Sequence, residues 1–325
     1  MSSPSPESAS AAPRDFYTPD QLSELQPLPA AQTTSGSSGL YGVLGFPVRH
    51  SLSPGFQQAA FDALKLPARY VRVEIPPERF TEAVAELRKR PFAGWNVTLP
   101  HKGAMHDAVD ELTDSARKLQ GVNTVLNDGG RLIGFNTDGE GWIKAIREEF
   151  QADIRDLRIM ILGAGGAGRA LAIQAAIERC ERLILVNRTY ERVAELAEYL
   201  QPAFDRTTLI GPSQRLVALP WDEARIAEEI NQVDLIVNAT SVGLKAWDAP
   251  ILPARVLQPH LLVYDTIYKP DPTRLLQEAR AAGCRTANGL SMLLHQGAAS
   301  FAIWTGQTPP LDVMRRTLLK ALGRA

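Results

Sequence analysis

Residues 157–177, LRIMILGAGGAGRALAIQAAI, leave the backbone few options. The apolar run RIMIL reads as a buried strand, and it passes directly into Gly163, Ala164, Gly165, Gly166, Ala167 and Gly168 before the helical run ALAIQAAI. Gly163, Gly165 and Gly168 stand in G-x-G-x-x-G spacing. The first permits a tight turn, the second lets a pyrophosphate approach the backbone, and the third lets helix and strand pack closely. A helix N-terminus at that point offers free N–H groups and partial positive charge to phosphates. Glycines at a strand-to-helix turn can be purely conformational, but here a second apolar strand, RLILV, follows about 20 residues later, as a dinucleotide-binding βαβ unit requires.

The tip of that second strand selects the dinucleotide. An acidic residue there takes the ribose 2′-hydroxyl of NAD, whereas arginine accommodates the 2′-phosphate of NADP. The strand ends in NRTYER, so Asn187, Arg188, Thr189 and Arg192 supply two cations with amide and hydroxyl donors, and no carboxylate stands at the tip. NADP is the expected cofactor. Arg188 sits at the strand end itself; Arg192 could equally be an ordinary helix-surface cation.

The same alternation begins near residue 40, with YGVLG, GFQQAAFDALK, RYVRVEI, RFTEAVAELRKR and GWNVTL. Strands separated by amphipathic helices imply βαβ units and a parallel sheet. NTVLND, GG and RLIGFNTD then read as a hairpin. The helix GEGWIKAIREEF leads to the glycine run, DLIVNAT and LLVYDTIY continue the second series, and two helices, SMLLHQGAASFAIW and LDVMRRTLLKAL, close the chain. A length of 325 residues suits two α/β domains.

Bulk properties exclude several partners. Lys and Arg total 35 against 36 Asp and Glu, a net charge of −1, so nucleic acid is not expected. No stretch reaches the ~18 uninterrupted apolar residues of a membrane span. Cys180 and Cys284 lack CxxC spacing and read as reduced, buried thiols of a cytoplasmic protein. Residues 1–39, rich in Ser, Pro and Ala, carry neither an apolar signal core nor an arginine-rich transit pattern. They are expected to be a flexible extension with one short helix at Thr18-Pro19, dispensable for kcat/KM.

GAGGAGR and NRTYER, taken with GFPVRHSLSP, NVTLPHK, GVNTV, GFNTDGEGW, NATSVGL, YDTIYKPDPTRLL and NGLSMLLHQGA, carry a resemblance to the shikimate dehydrogenase family over residues 40–320. Several of these motifs are polar where core packing would not demand it. The resemblance implies reversible hydride transfer between NADP(H) and the shikimate/3-dehydroshikimate pair in aromatic amino-acid biosynthesis. It implies a substrate-binding catalytic domain at 40–139, completed by 290–325, and a Rossmann-type NADP-binding domain at 140–289. A monomer or homodimer acting on a small molecule fits this reading.

The resemblance also assigns residues. Lys102 matches the family's proton-exchanging lysine and Asp138 the aspartate paired with it; lysine is among the side chains able to take a hydroxyl proton as hydride leaves. Without the resemblance, a surface salt bridge would explain both. Ser51 and Ser53 alternate around Leu52, so in an extended segment two hydroxyls would point together toward a substrate carboxylate. Ser53 could instead cap the helix that Pro54 opens. Asn123 and Gln296 match the amides that hold ring hydroxyls, and Thr98 and Tyr268 further substrate contacts. Gly289 matches a nicotinamide-side backbone contact, or serves as a hinge before a helix. Thr266 stands where relatives often carry a larger apolar residue beside the nicotinamide. None of the five histidines has metal-ligand spacing, and no metal is expected. A quinate-using, NAD-dependent relative is the near alternative, against which Ser53 and NRTYER argue; a non-catalytic nucleotide-binding module is the remote one, against which Lys102 and Asp138 argue.

Overall fold

The structure, a computed structural model, describes residues 14–25, 39–205 and 214–324. Two sheets organise it. The first contains β1 (Phe16–Tyr17), β2 (Gly39–Gly45), β3 (Ala68–Glu74), β4 (Phe92–Val97), β5 (Glu111–Leu112), β6 (Thr124–Asp128) and β7 (Arg131–Phe135), in the order β1-β3-β2-β4-β6-β7-β5. Strands β1 to β4 run parallel, carried back by α1 (Ser53–Ala63) and α2 (Phe80–Lys89). The sheet is not parallel throughout: β6 pairs antiparallel with β4 and forms the expected hairpin with β7. Gly129 and Gly130, both at positive φ, make its turn. The short helices α3 (Lys102–Ala108) and α4 (Asp114–Leu119) fill the path between β4 and β6.

Helix α5 (Asp138–Phe150) leads to the second sheet. Here β8 (Arg158–Leu162), β9 (Arg182–Asn187), β10 (Leu216–Pro220), β11 (Leu235–Asn238), β12 (Leu262–Asp265) and β13 (Arg285–Asn288) are all parallel, in the order β10-β9-β8-β11-β12-β13. Helices α6 (Gly166–Ile177), α7 (Tyr190–Phe204), α8 (Glu223–Ile230) and α9 (Arg274–Ala281) connect them. The continuous apolar strands have a direct cause. Ile159, Ile161, Leu183 and Leu185 enter one core, and Met160, Leu162, Ile184 and Val186 enter another on the opposite face, so none of these eight positions faces water.

Helices α10 (Leu290–Thr305) and α11 (Leu311–Ala321) return to the first sheet. Leu294, Ala298, Phe301 and Trp304 of α10, with Met314 and Leu318 of α11, share a core with Tyr41, Val43 and Tyr70. Trp304 Nε1 also donates to Val125 O at 2.9 Å.

The N-terminal segment departs from expectation. Residues 1–13 and 26–38 lie outside the described residues, but 14–25 is docked. Strand β1 pairs with β3, and a 3₁₀ helix at Pro19–Glu24 follows a capping box at Thr18 and Gln21. Tyr17, Leu22 and Leu25 are 5%, 1% and 3% exposed in the core beneath the first sheet. The Ser/Pro-rich average of the extension concealed this local apolar triplet, which offsets the ordering entropy that composition alone could not.

Both cysteines are buried and unpaired, and burial pushes the Cys180 thiol up to about 12. Among the described residues no helix is long and apolar enough to cross a membrane, and no group of His, Cys, Asp and Glu is arranged to hold a metal.

Candidate active site

Strand β4 ends in Asn96 and Val97, and the turn through Thr98 and Leu99 delivers Lys102 as the first residue of α3. Strand β7 ends in Phe135, and Asp138 opens α5. The two side chains meet: Lys102 Nζ donates to Asp138 Oδ2 at 2.6 Å, with the carboxylate 10% and the lysine 29% exposed. The start of α5 favours a carboxylate, whereas the start of α3 disfavours an ammonium. The aspartate therefore sits where its helix supports it, and the lysine is held by its partner against its own helix field.

Asn123 fixes the other carboxylate oxygen. Its Nδ2 donates to Asp138 Oδ1 at 3.0 Å and lies 3.4 Å from Gln296 Oε1 of α10. Its Oδ1 accepts from Thr137 N at 2.9 Å. Behind it a buried polar chain runs from Tyr70 through Asn96 to Thr124 and Ser300. Sequence reading missed this support, although Asn96 inside an apolar strand was its signal. His101 is not part of the chemistry: it is 2% exposed, stacks on Phe80, and shares a hydrogen bond with Ile75 O, while burial lowers its pKa.

A cleft of about 1210 Å³ opens between the two sheets. Ser51, Tyr268, Thr266, Gly163, Gly165, Gly166, Ala167 and Asn187 line it, and Leu99, beside Thr98, links its wall to the lysine turn. Ser53 is not on that wall; it is 6% exposed as the first residue of α1. The serine segment is not extended as expected, because Leu52 adopts helical angles and Ser51 Oγ accepts from Ser53 N at 3.3 Å. Nor does Ser53 cap the helix: Leu52 holds that position. His50 and the guanidinium groups of Arg49 and Arg72 also line the cleft beside Ser51, a surround that sequence reading did not single out.

Two glycines of the loop take the conformational roles expected of them. Gly163 has φ +102°, a Cβ there would lie 2.7 Å from Thr240 Cγ2, and Gly168 packs so closely on Gly163 O that a Cβ would overlap it. At Gly165 and Gly166 a Cβ would meet nothing within 4 Å, so the backbone at the start of α6 is open to a ligand. Ala164 N donates to Asn187 Oδ1 at 3.2 Å, which ties this loop to the β9 tip. Arg188, Thr189 and Arg192 follow, exposed at the start of α7. Neither arginine has an ion-pair or hydrogen-bond partner among the described residues, although a helix N-terminus disfavours cations. Two unpaired guanidinium groups there suit a phosphate, and the residues present fit an NADP-type dinucleotide.

On the far side of the cleft, Asn238 and Asp265 join the ends of β11 and β12. Asp265 accepts from Thr273 Oγ1 at 2.6 Å and Ile267 N at 3.0 Å, which shapes the loop carrying Thr266 and Tyr268. Burial pushes its carboxyl up to about 6, and burial likewise raises the Tyr268 phenol. Gly289 opens α10 against Thr266 O, where a Cβ would overlap, so the close approach accounts for this glycine.

Comparison with known proteins finds relatives along most of the chain. The family model for the shikimate dehydrogenase substrate binding domain matches residues 43–125, that for shikimate/quinate 5-dehydrogenase matches 144–245, and that for the shikimate 5′-dehydrogenase C-terminal domain matches 289–319. A shikimate dehydrogenase (NADP(+)) of Methanopyrus kandleri is 40% identical over 292 residues, 89% of this chain and 98% of that protein. A crystal structure of a shikimate dehydrogenase in complex with NADP+ superposes with TM-score 0.79 at 34% identity, covering 90% of this chain and 98% of that one. The Thermus thermophilus shikimate 5-dehydrogenase in complex with NADP(H) and shikimate gives 0.75 at 36% identity, covering 87% and 99%.

Proposed function

Because the chain belongs to the shikimate dehydrogenase family, we infer that it catalyses the reversible, NADPH-dependent reduction of 3-dehydroshikimate to shikimate, a step of aromatic amino-acid biosynthesis. We divide the work between a substrate domain at 40–139 with 290–325, and an NADP-binding domain at 140–289. The single observation that carries the mechanism is the 2.6 Å pair of Lys102 and Asp138, in which Lys102 follows the turn whose Leu99 stands on the cleft wall.

NADPH, when bound, supplies the hydride. Gly163, Ala164, Gly165, Gly166, Ala167 and Gly168 would hold its pyrophosphate, Asn187, Arg188, Thr189 and Arg192 its 2′-phosphate, and Thr266 and Gly289 its nicotinamide side. In the reductive direction the Lys102 ammonium gives a proton to the carbonyl oxygen as that oxygen gains charge. In the oxidative direction the neutral amine takes the hydroxyl proton back. Asp138 keeps the amine aimed and accepts from a neighbouring substrate hydroxyl. Asn123 and Gln296 hold the ring hydroxyls, Ser51 takes the carboxylate from the cleft wall with Ser53 behind it at the start of α1, and Thr98 and Tyr268 complete the pocket. The enzyme acts on free small molecules, as a monomer or homodimer in the cytoplasm.

A panel of shikimate and quinate against NADP+ and NAD+, followed by absorbance of the reduced cofactor, tests the reading. The expected result is the highest kcat/KM for shikimate with NADP+. Preference for quinate or for NAD+ would overturn it.

A further inference from the structure

We propose that the docked N-terminal segment positions the substrate's carboxylate site, with Asp15 and Phe16 acting through Arg72 and Arg49 on the loop that carries Ser51. The proposal rests on the reading of Ser51 as a carboxylate ligand. Its basis is a chain of contacts. Strand β1 lies along the outer edge of β3, with Phe16 opposite Arg72, and Arg72 N donates to Asp15 O at 2.7 Å. The Arg72 guanidinium then works as a clamp: one terminal nitrogen donates to Asp15 Oδ2 at 2.5 Å and the other to Ser51 O at 3.0 Å. Its fork geometry makes both bonds directional, so the carboxylate that holds one nitrogen also aims the other.

The rest of the loop is held from the same side. Arg49 lies over the Phe16 ring, 4.1 Å from its centroid, and its Nε reaches Glu74 Oε1 at 3.4 Å. Glu74 accepts from Val48 N at 3.0 Å, and Ser51 N donates to Val48 O at 3.0 Å. The stretch from Val48 to Ser51 is thus fixed at its two ends and in the middle, and two of the three fixing contacts depend on residues 15 and 16. Arg49, Ser51 and Arg72 all line the cleft, so the restraint is applied at its wall.

The segment is anchored well enough to exert it. Tyr17, Leu22 and Leu25 are buried, Arg79 pairs with Asp20 at 2.6 Å, and Arg69 donates to the Tyr17 hydroxyl at 3.0 Å. It also lies outside the match to the substrate-domain family model, which begins at residue 43. The strand thus precedes the residues that the family model matches and acts on the cleft wall only through Arg72 and Arg49. Without Asp15 the Arg72 guanidinium would be free to swing away from Ser51 O, and the hydroxyl next to that carbonyl would lose its preset direction.

The test uses the full-length enzyme with Asp15→Asn, Asp15→Glu, Phe16→Ala and Ser51→Ala. Asp15→Asn keeps the shape and removes the charge, and is expected to raise KM for shikimate about 3- to 30-fold, the scale of one charge-assisted hydrogen bond partly lost. Phe16→Ala should raise it in the same way. In both, kcat and KM for NADP+ stay at the wild-type values, and Asp15→Glu recovers most of the shikimate KM. An unchanged shikimate KM in Asp15→Asn beside a raised one in Ser51→Ala overturns the positioning role and leaves the serine reading standing. No effect in Ser51→Ala overturns the serine reading, and the proposal with it. A parallel fall in kcat, both affinities and melting temperature for Asp15→Asn, with no rescue by Glu, reduces the segment to general stability and also overturns the proposal.

Discussion

Lys102 is held where its own helix would not favour an ammonium, and Asp138 is the group that holds it there. A lysine on a solvated helix face needs no such arrangement; one that must return a proton to a set position does. Lys102→Ala is accordingly expected to lower kcat by about 10²- to 10⁴-fold, the usual worth of a general acid–base group. Affinity for NADP+, measured by titration, should be nearly unchanged, because the glycine loop and the β9 tip belong to the other sheet. A near-normal kcat would return the pair to the status of a structural salt bridge. The lysine, the aspartate and both amides were legible from their motifs, because site chemistry restricts residue type. The buried chain behind them was not. Tyr70, Asn96, Thr124 and Ser300 come together from three strands and a C-terminal helix, and no local pattern announces such a meeting.

At the scale of elements, β8, β9, β11 and β12 of the second sheet were readable and β10 and β13 were not, while in the first sheet β1 and β5 escaped. Strands β8, β9, β11 and β12 are covered on both faces, so each is an unbroken apolar run with one interpretation. In the first sheet the direction change at β6 depends on the hairpin's partner, and β1 is two residues long, below what periodicity detects. The serine loop misled for a related reason: alternate spacing argues for an extended segment only if the backbone is extended, and Leu52 is already helical. The junction of β9 with α7 allows a sharper test. Arg188 and Arg192 stand exposed and unpartnered among the described residues at a helix start, an arrangement that an anion relieves. Arg188→Asp removes a planar, charge-assisted donor and sets a carboxylate against the 2′-phosphate. Charge-assisted bonds are worth roughly 1.5 to 3 kcal/mol, so the NADP-over-NAD ratio in kcat/KM should fall by about one to two decades or more. The ratio is measured for both enzymes in one buffer at one salt concentration. An unchanged value would mean that the 2′-phosphate is read elsewhere.

The whole molecule depends on two helices that connect its sheets. Helix α5 leaves the first sheet with Asp138 at its start and enters the core of the second through Trp142, Ala145 and Ile146. Helix α10 comes back with Gly289 at one end, Gln296 in the site, and Phe301 and Trp304 in the first core. They cross at Gly141, where a Cβ would lie 2.8 Å from both the Gln296 nitrogen and its Cβ and 3.0 Å from its Cα. Because two of these atoms are backbone, no change of rotamer relieves the overlap, and the helices themselves must separate. Gly141→Ala should therefore act twice. Overpacking of this kind typically costs ~1 to 3 kcal/mol, which in a chain of this size lowers the melting temperature by several degrees. Displacing α10 also withdraws Gln296 from Asn123, and on the proposed assignment from the substrate's hydroxyls, so KM for shikimate should rise while the glycine loop continues to bind NADP+ normally. Calorimetry with initial-rate kinetics on the same preparation separates the two effects. A variant that melts early but keeps the wild-type KM would show that α10 can give way at the crossing without moving Gln296, and that the site is held by the first sheet alone.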